Sequence, residues 1–210
     1  MSTSIELLAQ ARRMPLVAIL RGLLPAEAEA VGAALVESGF RTLEVPLNRP
    51  GALDCIATLA RTLPADAIVG GGTMLTVADV EAVHAAGGRL MVSPNCDAAV
   101  IRRAVELGML CAPGVATPTE AFTALQAGAH ALKLFPAEMV GHGGIKALKS
   151  VVPAGTDLWP VGGITPESMA PWKKAGATGF GIGGQLFAPG TSAAEVLVRG
   201  RAYVQAWQQA

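Results

Sequence analysis

The chain repeats one unit eight times within 210 residues: a short strand-forming run followed by a helical pattern. The strand candidates are Leu16–Leu20, Thr42–Leu47, Ile68–Thr73, Arg89–Pro94, Met109–Gly114, Ala131–Pro136, Leu158–Gly163 and Gly179–Gly184. The spacing predicts helices near 25–38, 52–63, 76–86, 97–107, 118–127, 144–151, from 165 onward and near 192–207. Glycine closes several of them, as at Ser38-Gly39 and Gly87-Gly88, because it tolerates the left-handed backbone that follows a helix end. Pro166 suits the first position of its helix, where no N–H is needed. Strands alternating with helices imply right-handed parallel βαβ units. Eight such units fit a (β/α)8 TIM barrel; a doubly wound open sheet meets the same pattern. No linker or composition break interrupts the series, so residues 1–210 read as one domain.

Composition narrows the partners. Apolar residues make up 51% and charged residues 15%, the balance expected where strands are covered on both faces. Sixteen basic and sixteen acidic residues are dispersed without a run of one sign, which argues against a nucleic-acid partner. The stretch Met14–Leu20 follows Arg12-Arg13 but is too short for an export signal and reads as a strand. No apolar run has the length of a membrane span. Three cysteines (Cys55, Cys96, Cys111) without CxxC spacing fit a reducing cytoplasm better than a disulfide framework. The three histidines show no ligand spacing, so no metal site is expected.

Two charged residues interrupt otherwise apolar strands. In Ala131-Leu-Lys-Leu-Phe-Pro, alternation places Leu132 and Leu134 on one face and Lys133 and Phe135 on the other. The outer face of a barrel strand meets helices, so the leucines take it and Lys133 points inward. Glu44 points inward by the same argument, since Leu43, Val45 and Leu47 take the helix face. An unpaired buried charge is costly, so the pair is either a structural ion pair or chemistry. A desolvated lysine keeps its amine neutral and nucleophilic towards ketones, which favours chemistry. The other four lysines fall on expected helices in a solvated pattern.

Barrel enzymes place their sites at the C-terminal ends of the strands. Gly162-Gly163 and Gly183-Gly184 end the last two strands, where glycine backbones commonly cradle phosphate; ordinary loop geometry is the alternative. Arg21 follows the first strand and is either an anion clamp or a surface residue. Thr73 ends Gly70-Gly-Gly-Thr, where glycine permits close backbone approach. Pro94 and Asn48 also close strands.

Read together, these stretches resemble the 2-keto-3-deoxy-6-phosphogluconate and 6-phosphogalactonate aldolases along essentially the whole chain. The motifs are Val-Ala-Ile-Leu-Arg-Gly (17–22), Leu-Glu-Val-Pro-Leu-Asn (43–48), Val-Gly-Gly-Gly-Thr (69–73) and Val-Ser-Pro-Asn (92–95). Lys-Leu-Phe-Pro-Ala-Glu (133–138), Val-Gly-Gly-Ile-Thr-Pro (161–166) and Gly-Ile-Gly-Gly (181–184) complete the set. The resemblance implies a homotrimeric, cofactor-free class I aldolase with Lys133 as Schiff-base residue and Glu44 moving protons. It implies substrate contacts from Arg21, Thr73, Asn48, Pro94, Phe135 and Val161, and phosphate contacts from Gly162, Gly163, Gly183 and Gly184. Asn48 and Val161 stand where the gluconate enzymes typically carry arginine and threonine, which favours the galactonate branch; Arg49 could take the arginine's place. Gln185 replaces the aspartate of some relatives. The implied products are pyruvate and D-glyceraldehyde 3-phosphate. The rivals are the same cleavage of the gluconate epimer or of 4-hydroxy-2-oxoglutarate, a phosphosugar epimerase, and a non-catalytic phosphosugar-binding barrel.

Overall fold

A computed structural model describes residues 3–210. The expected strands are present with trimmed ends: β1 Leu16–Ile19, β2 Thr42–Pro46, β3 Ile68–Gly72, β4 Leu90–Val92, β5 Leu110–Ala112, β6 Gly114–Val115, β7 Ala131–Leu134, β8 Asp157–Pro160 and β9 Phe180–Ile182. The expected fifth strand is divided into β5 and β6 at Pro113. Proline has no N–H to donate, so the ladder breaks there: β5 pairs with β4, and β6 pairs with β7.

All strand pairs are parallel, in a six-stranded sheet ordered β5-β4-β3-β2-β1-β9 and a three-stranded sheet ordered β6-β7-β8. The first strand therefore lies beside the last, and the order never reverses as it does at the switch point of a doubly wound sheet. Between the two sheets, His130 N–H donates to the Cys111 carbonyl and Thr178 N–H to the Leu158 carbonyl, each at 3.0 Å. A parallel bridge also joins Val161 to Gly181. The architecture is a curled parallel sheet with helices on its outer face.

The helices are α1 Ser4–Ala11, α2 Ala28–Ser38, α3 Ala52–Thr62, α4 Val77–Ala85, α5 Ala98–Glu106, α6 Pro118–Gln126, α7 Ala137–Lys149, α8 Met169–Ala175 and α9 Ala193–Gln209. Reciprocal side-chain caps start α1 (Thr3, Glu6), α4 (Thr76, Asp79), α6 (Thr117, Glu120) and α9 (Ser192, Glu195). A 3-10 turn, Pro166–Ser168, opens the helix expected from Thr165 and leads into α8. The helix expected near 144–151 starts earlier, at Ala137; Gly141, at φ 65° and ψ 172°, kinks it, so the sequence pattern revealed only its second half. Among the described residues no helix is long and apolar enough to cross a membrane.

The strand alternation sorts the core into two layers. Leu43, Val45, Leu132 and Leu134 join the outer cluster beneath the helices. Val17, Ile68, Leu90, Val92, Leu110, Ala112, Ala131 and Trp159 form the inner cluster, and Leu7 and Ala11 of α1 pack onto it. Helix α1, absent from the strand-helix count, thus seals the N-terminal end of the strands. Arg12, its C-cap, pins it there by a 2.8 Å ion pair with Asp157 at the start of β8. Gln10 adds a hydrogen bond to the Asp66 carbonyl.

Candidate active site

Lys133 and Glu44 both point inward, as alternation requires, and are 7% and 2% exposed. With Ile19, Trp159 and Val161 they line a small space of about 10 Å³. Burial pushes the Lys133 amine below the usual lysine range, with the nearby Glu44 opposing and Arg21 reinforcing the fall. Burial likewise pushes the Glu44 carboxyl up, against the pull of Lys133 and Arg21. Each group is therefore biased towards its neutral form. Among the described residues no Lys133–Glu44 ion pair forms within 4.0 Å. A structural salt bridge thus does not account for two charges in the interior. Lys133 Nζ instead lies 4.7 Å from the centroid of the Phe135 ring.

Glu44 owes its place to a neighbour. A Cβ on Gly72 would overlap the Glu44 carboxylate, so only glycine at the end of β3 leaves room for it. Next along the chain, Thr73 holds φ 56°, a left-handed conformation that is strained for a β-branched residue. Strain of this kind concentrates at functional sites.

Adjoining the small space, and sharing Ile19, Val161 and Gly181 with it, is a cavity of about 270 Å³. Its walls bring together Arg21, Phe135, Val161, Gly162, Gly163, Gly183 and Gly184, and Arg21 is the charged residue among them. Gly162 and Gly163 take φ of 119° and 61°, conformations that suit glycine. Asn48, Thr73 and Pro94 do not line this cavity. They follow β2, β3 and β4, on the other part of the rim, with Asn48 exposed and Thr73 and Pro94 half-buried. Arg49 belongs to a separate groove with Asp54 and Asp79, which gives no support to its taking the arginine role.

Several site neighbours escaped the sequence reading. Phe187, Ala188 and Pro189 wall the cavity beyond the second glycine pair, in a loop with no periodic signal. Trp159 shares the inward face with Val161, so alternation alone could have found it. Glu138, in the first turn of α7, lies so close to Gly162 and Gly163 that a Cβ on either would crowd its carboxylate. Among the described residues no cluster of three His, Cys, Asp or Glu side chains is arranged to hold a metal ion.

The family described as "KDPG and KHG aldolase" matches residues 6–197. The chain belongs to that family. A probable 2-dehydro-3-deoxy-6-phosphogalactonate aldolase of Rhizobium meliloti is 47% identical over 193 residues, covering 92% of this chain and 91% of the relative. The 2-dehydro-3-deoxy-6-phosphogalactonate aldolase of Escherichia coli K12 is 44% identical over 198 residues, covering 94% and 97%. A solved structure described as native KDPGal superposes with a TM-score of 0.92 at 44% identity, covering 94% of this chain and 96% of that one. The family match extends over both the Lys133–Glu44 interior and the glycine-lined cavity.

Proposed function

We propose that this chain is a Schiff-base aldolase that cleaves 2-dehydro-3-deoxy-6-phosphogalactonate to pyruvate and D-glyceraldehyde 3-phosphate. The observation that carries it is the buried Lys133, its amine biased towards neutrality, beside Glu44 and adjoining a cavity walled by two glycine pairs. The relatives at 47% and 44% identity both bear the galactonate name, whereas relatives that bear the gluconate name are 31–37% identical.

In this reading the phosphate sits among Gly162, Gly163, Gly183 and Gly184 with Arg21 as its counter-charge, while Glu138 limits how much negative charge the loop accepts. Thr73, Pro94 and Asn48 hold the keto-acid end across the rim, with Phe135 and Val161 between the two ends. Lys133 attacks the C2 ketone; Glu44 moves protons as carbinolamine becomes iminium, then removes the C4 hydroxyl proton. The C3–C4 bond breaks, the aldehyde leaves, and its electron pair rests in the enamine. Protonation at C3 and hydrolysis release pyruvate and the free amine. Because the iminium is the electron sink, the reaction needs no cofactor.

Borohydride reduction in the presence of pyruvate is expected to add one pyruvyl group, on Lys133; an active enzyme left unlabelled overturns the mechanism. Turnover of the galactonate substrate beside its gluconate epimer tests the branch, and faster cleavage of the gluconate overturns it.

The same proposal includes closure of the two sheets into one eight-stranded barrel, supported by the neighbouring β1 and β9 and the hydrogen bonds between sheets. It includes a homotrimer, for which Leu53, Leu75 and Val77, exposed around the starts of α3 and α4, offer apolar contact surface. A monomer by light scattering overturns that part. Free thiols at Cys55, Cys96 and Cys111 suit the cytoplasm.

A further inference from the structure

One peptide unit at the end of the first glycine pair is held at both its ends. The carbonyl of the buried Ile164 accepts a hydrogen bond from the Tyr203 hydroxyl at 2.8 Å, across 39 residues of chain. The N–H of Thr165, in the same peptide unit, donates to Ser168 Oγ at 2.9 Å. Just before that unit, Gly162 and Gly163 take φ of 119° and 61°. Among the described residues, the N–H groups of Gly163 and Ile164 donate to nothing in the chain, and both residues wall the larger cavity. Free backbone N–H groups at such a turn cradle an anion best when the backbone is already held still.

Tyr203 is not part of that wall. It sits on α9, 2% exposed, and lines a separate groove that shares Gly184 and Gln185 with the cavity. One turn earlier, Gly200 lets α9 press onto the end of α2, where a Cβ would collide with the Ser38 side chain. Arg201 adds a 2.8 Å ion pair to Glu37 of α2. That seating fixes where the hydroxyl stands. Burial, reinforced by Glu167 and opposed by Arg199, pushes the Tyr203 hydroxyl up to about 12, so it keeps its proton and remains a donor at neutral pH.

We propose that Tyr203 is a positioning residue for substrate binding: by holding the Ile164 carbonyl it keeps the Gly163 and Ile164 N–H groups set to receive the substrate's phosphate. The inference rests on the reading that places the phosphate among the glycine pairs. Without the hydroxyl, the buried carbonyl loses its donor and the peptide unit turns to find another. Each binding event must then order that backbone afresh, which weakens the hold on the phosphate. The effect stays at the phosphate end, because Lys133 and Glu44 stand on β7 and β2 and make no contact with Tyr203 in forming their pocket. Pyruvate, which has no phosphate, engages only that other end.

Tyr203→Phe in the full chain tests this, since it keeps the ring and removes the donor. KM for 2-dehydro-3-deoxy-6-phosphogalactonate, and the inhibition constant of inorganic phosphate against it, are each expected to rise about tenfold, the loss that follows removal of one buried hydrogen bond. Turnover at saturation is expected to stay within about twofold of the parent. So is exchange of the pyruvate methyl protons in deuterated water, which needs Lys133 and Glu44 but no phosphate. Ser168→Ala frees the other end of the same peptide unit and is expected to move the same two constants in the same direction; it carries the test if Tyr203→Phe does not fold. A tie that only stabilises the fold lowers the melting temperature and leaves both constants alone. That result, or pyruvate exchange that falls as far as the phosphate affinity, overturns the proposal. The parent enzyme separates the two ideas. Inorganic phosphate that does not compete with substrate there sinks the placement of the phosphate, whereas equal competition in parent and variant sinks only the role of Tyr203.

Discussion

At the N-terminal end of the strands, Leu7 and Ala11 lie on Val17, Ile68, Leu90, Leu110 and Ala131, and the one charge buried beside them among the described residues, Asp157, is paired with Arg12. At the other end the same strands carry Glu44 and Lys133 inward and finish in glycine pairs around an open cavity. The sealed end buries apolar area, which stabilises the fold. The open end buries charge, omits side chains and holds Thr73 in a strained conformation, all of which cost stability. One set of strands thus separates folding from chemistry by depth, and substitutions at the two ends are expected to fail in different ways.

The largest effect is expected from Lys133→Met. Removing the proposed nucleophile should lower turnover by a factor on the order of 10⁴ or more, while thermal stability stays level or rises because a buried amine is gone. The folded Lys133 binds its proton less readily than the unfolded chain does. Its cost to stability is therefore fully present below its lowered pKa and fades as pH climbs to the ordinary lysine value. Melting curves across pH should show the variant's advantage shrinking on the alkaline side. A variant that melts lower at neutral pH would blur the contrast between the ends.

Leu7→Ala acts at the sealed end. Denaturant unfolding should show a loss of about 2–5 kcal/mol, with kcat per folded molecule unchanged. Gly72→Ala returns to the open end: displacing the Glu44 carboxylate by about 1 Å should lower kcat on the order of 10²-fold, with the KM for substrate little altered. A fully active Gly72→Ala enzyme would break the link between that glycine and the carboxylate. The smallest effect is expected from Val161→Thr, which puts a hydroxyl where both cavities meet. Paired kcat/KM measurements should shift the preference towards the gluconate epimer by roughly tenfold.

Much of this was readable from residue order. The alternation around Lys133 and Glu44 identified the two inward charges, and the glycine pairs marked the wall of the cavity. Helix α1 was missed from the strand-helix pattern although Thr3 and Glu6 stand at capping-box spacing before Leu7, and nothing local says that a short helix will seal the end of a curled sheet. Pro113 could be expected to interrupt a ladder, yet which neighbour each half would pair with depends on the strands beside it. Helix α7 was half hidden because Gly141 breaks its periodicity. Asn48, Thr73 and Pro94 share the strand-end signal with Arg21 and Phe135, yet they line a different part of the rim.

The sequence by itself determined that the strands are parallel, that the leucines beside Lys133 face helices, and that this lysine and Glu44 share the interior. Those properties follow from side-chain periodicity and the cost of burying charge, and both act locally. The tertiary structure decided which strand ends converge on one cavity and that Gly72 makes room for Glu44. It also decided that Trp159 lines the same small space as Lys133 and Glu44. Such meetings depend on curvature and register across strands far apart in the chain, and no local pattern encodes them.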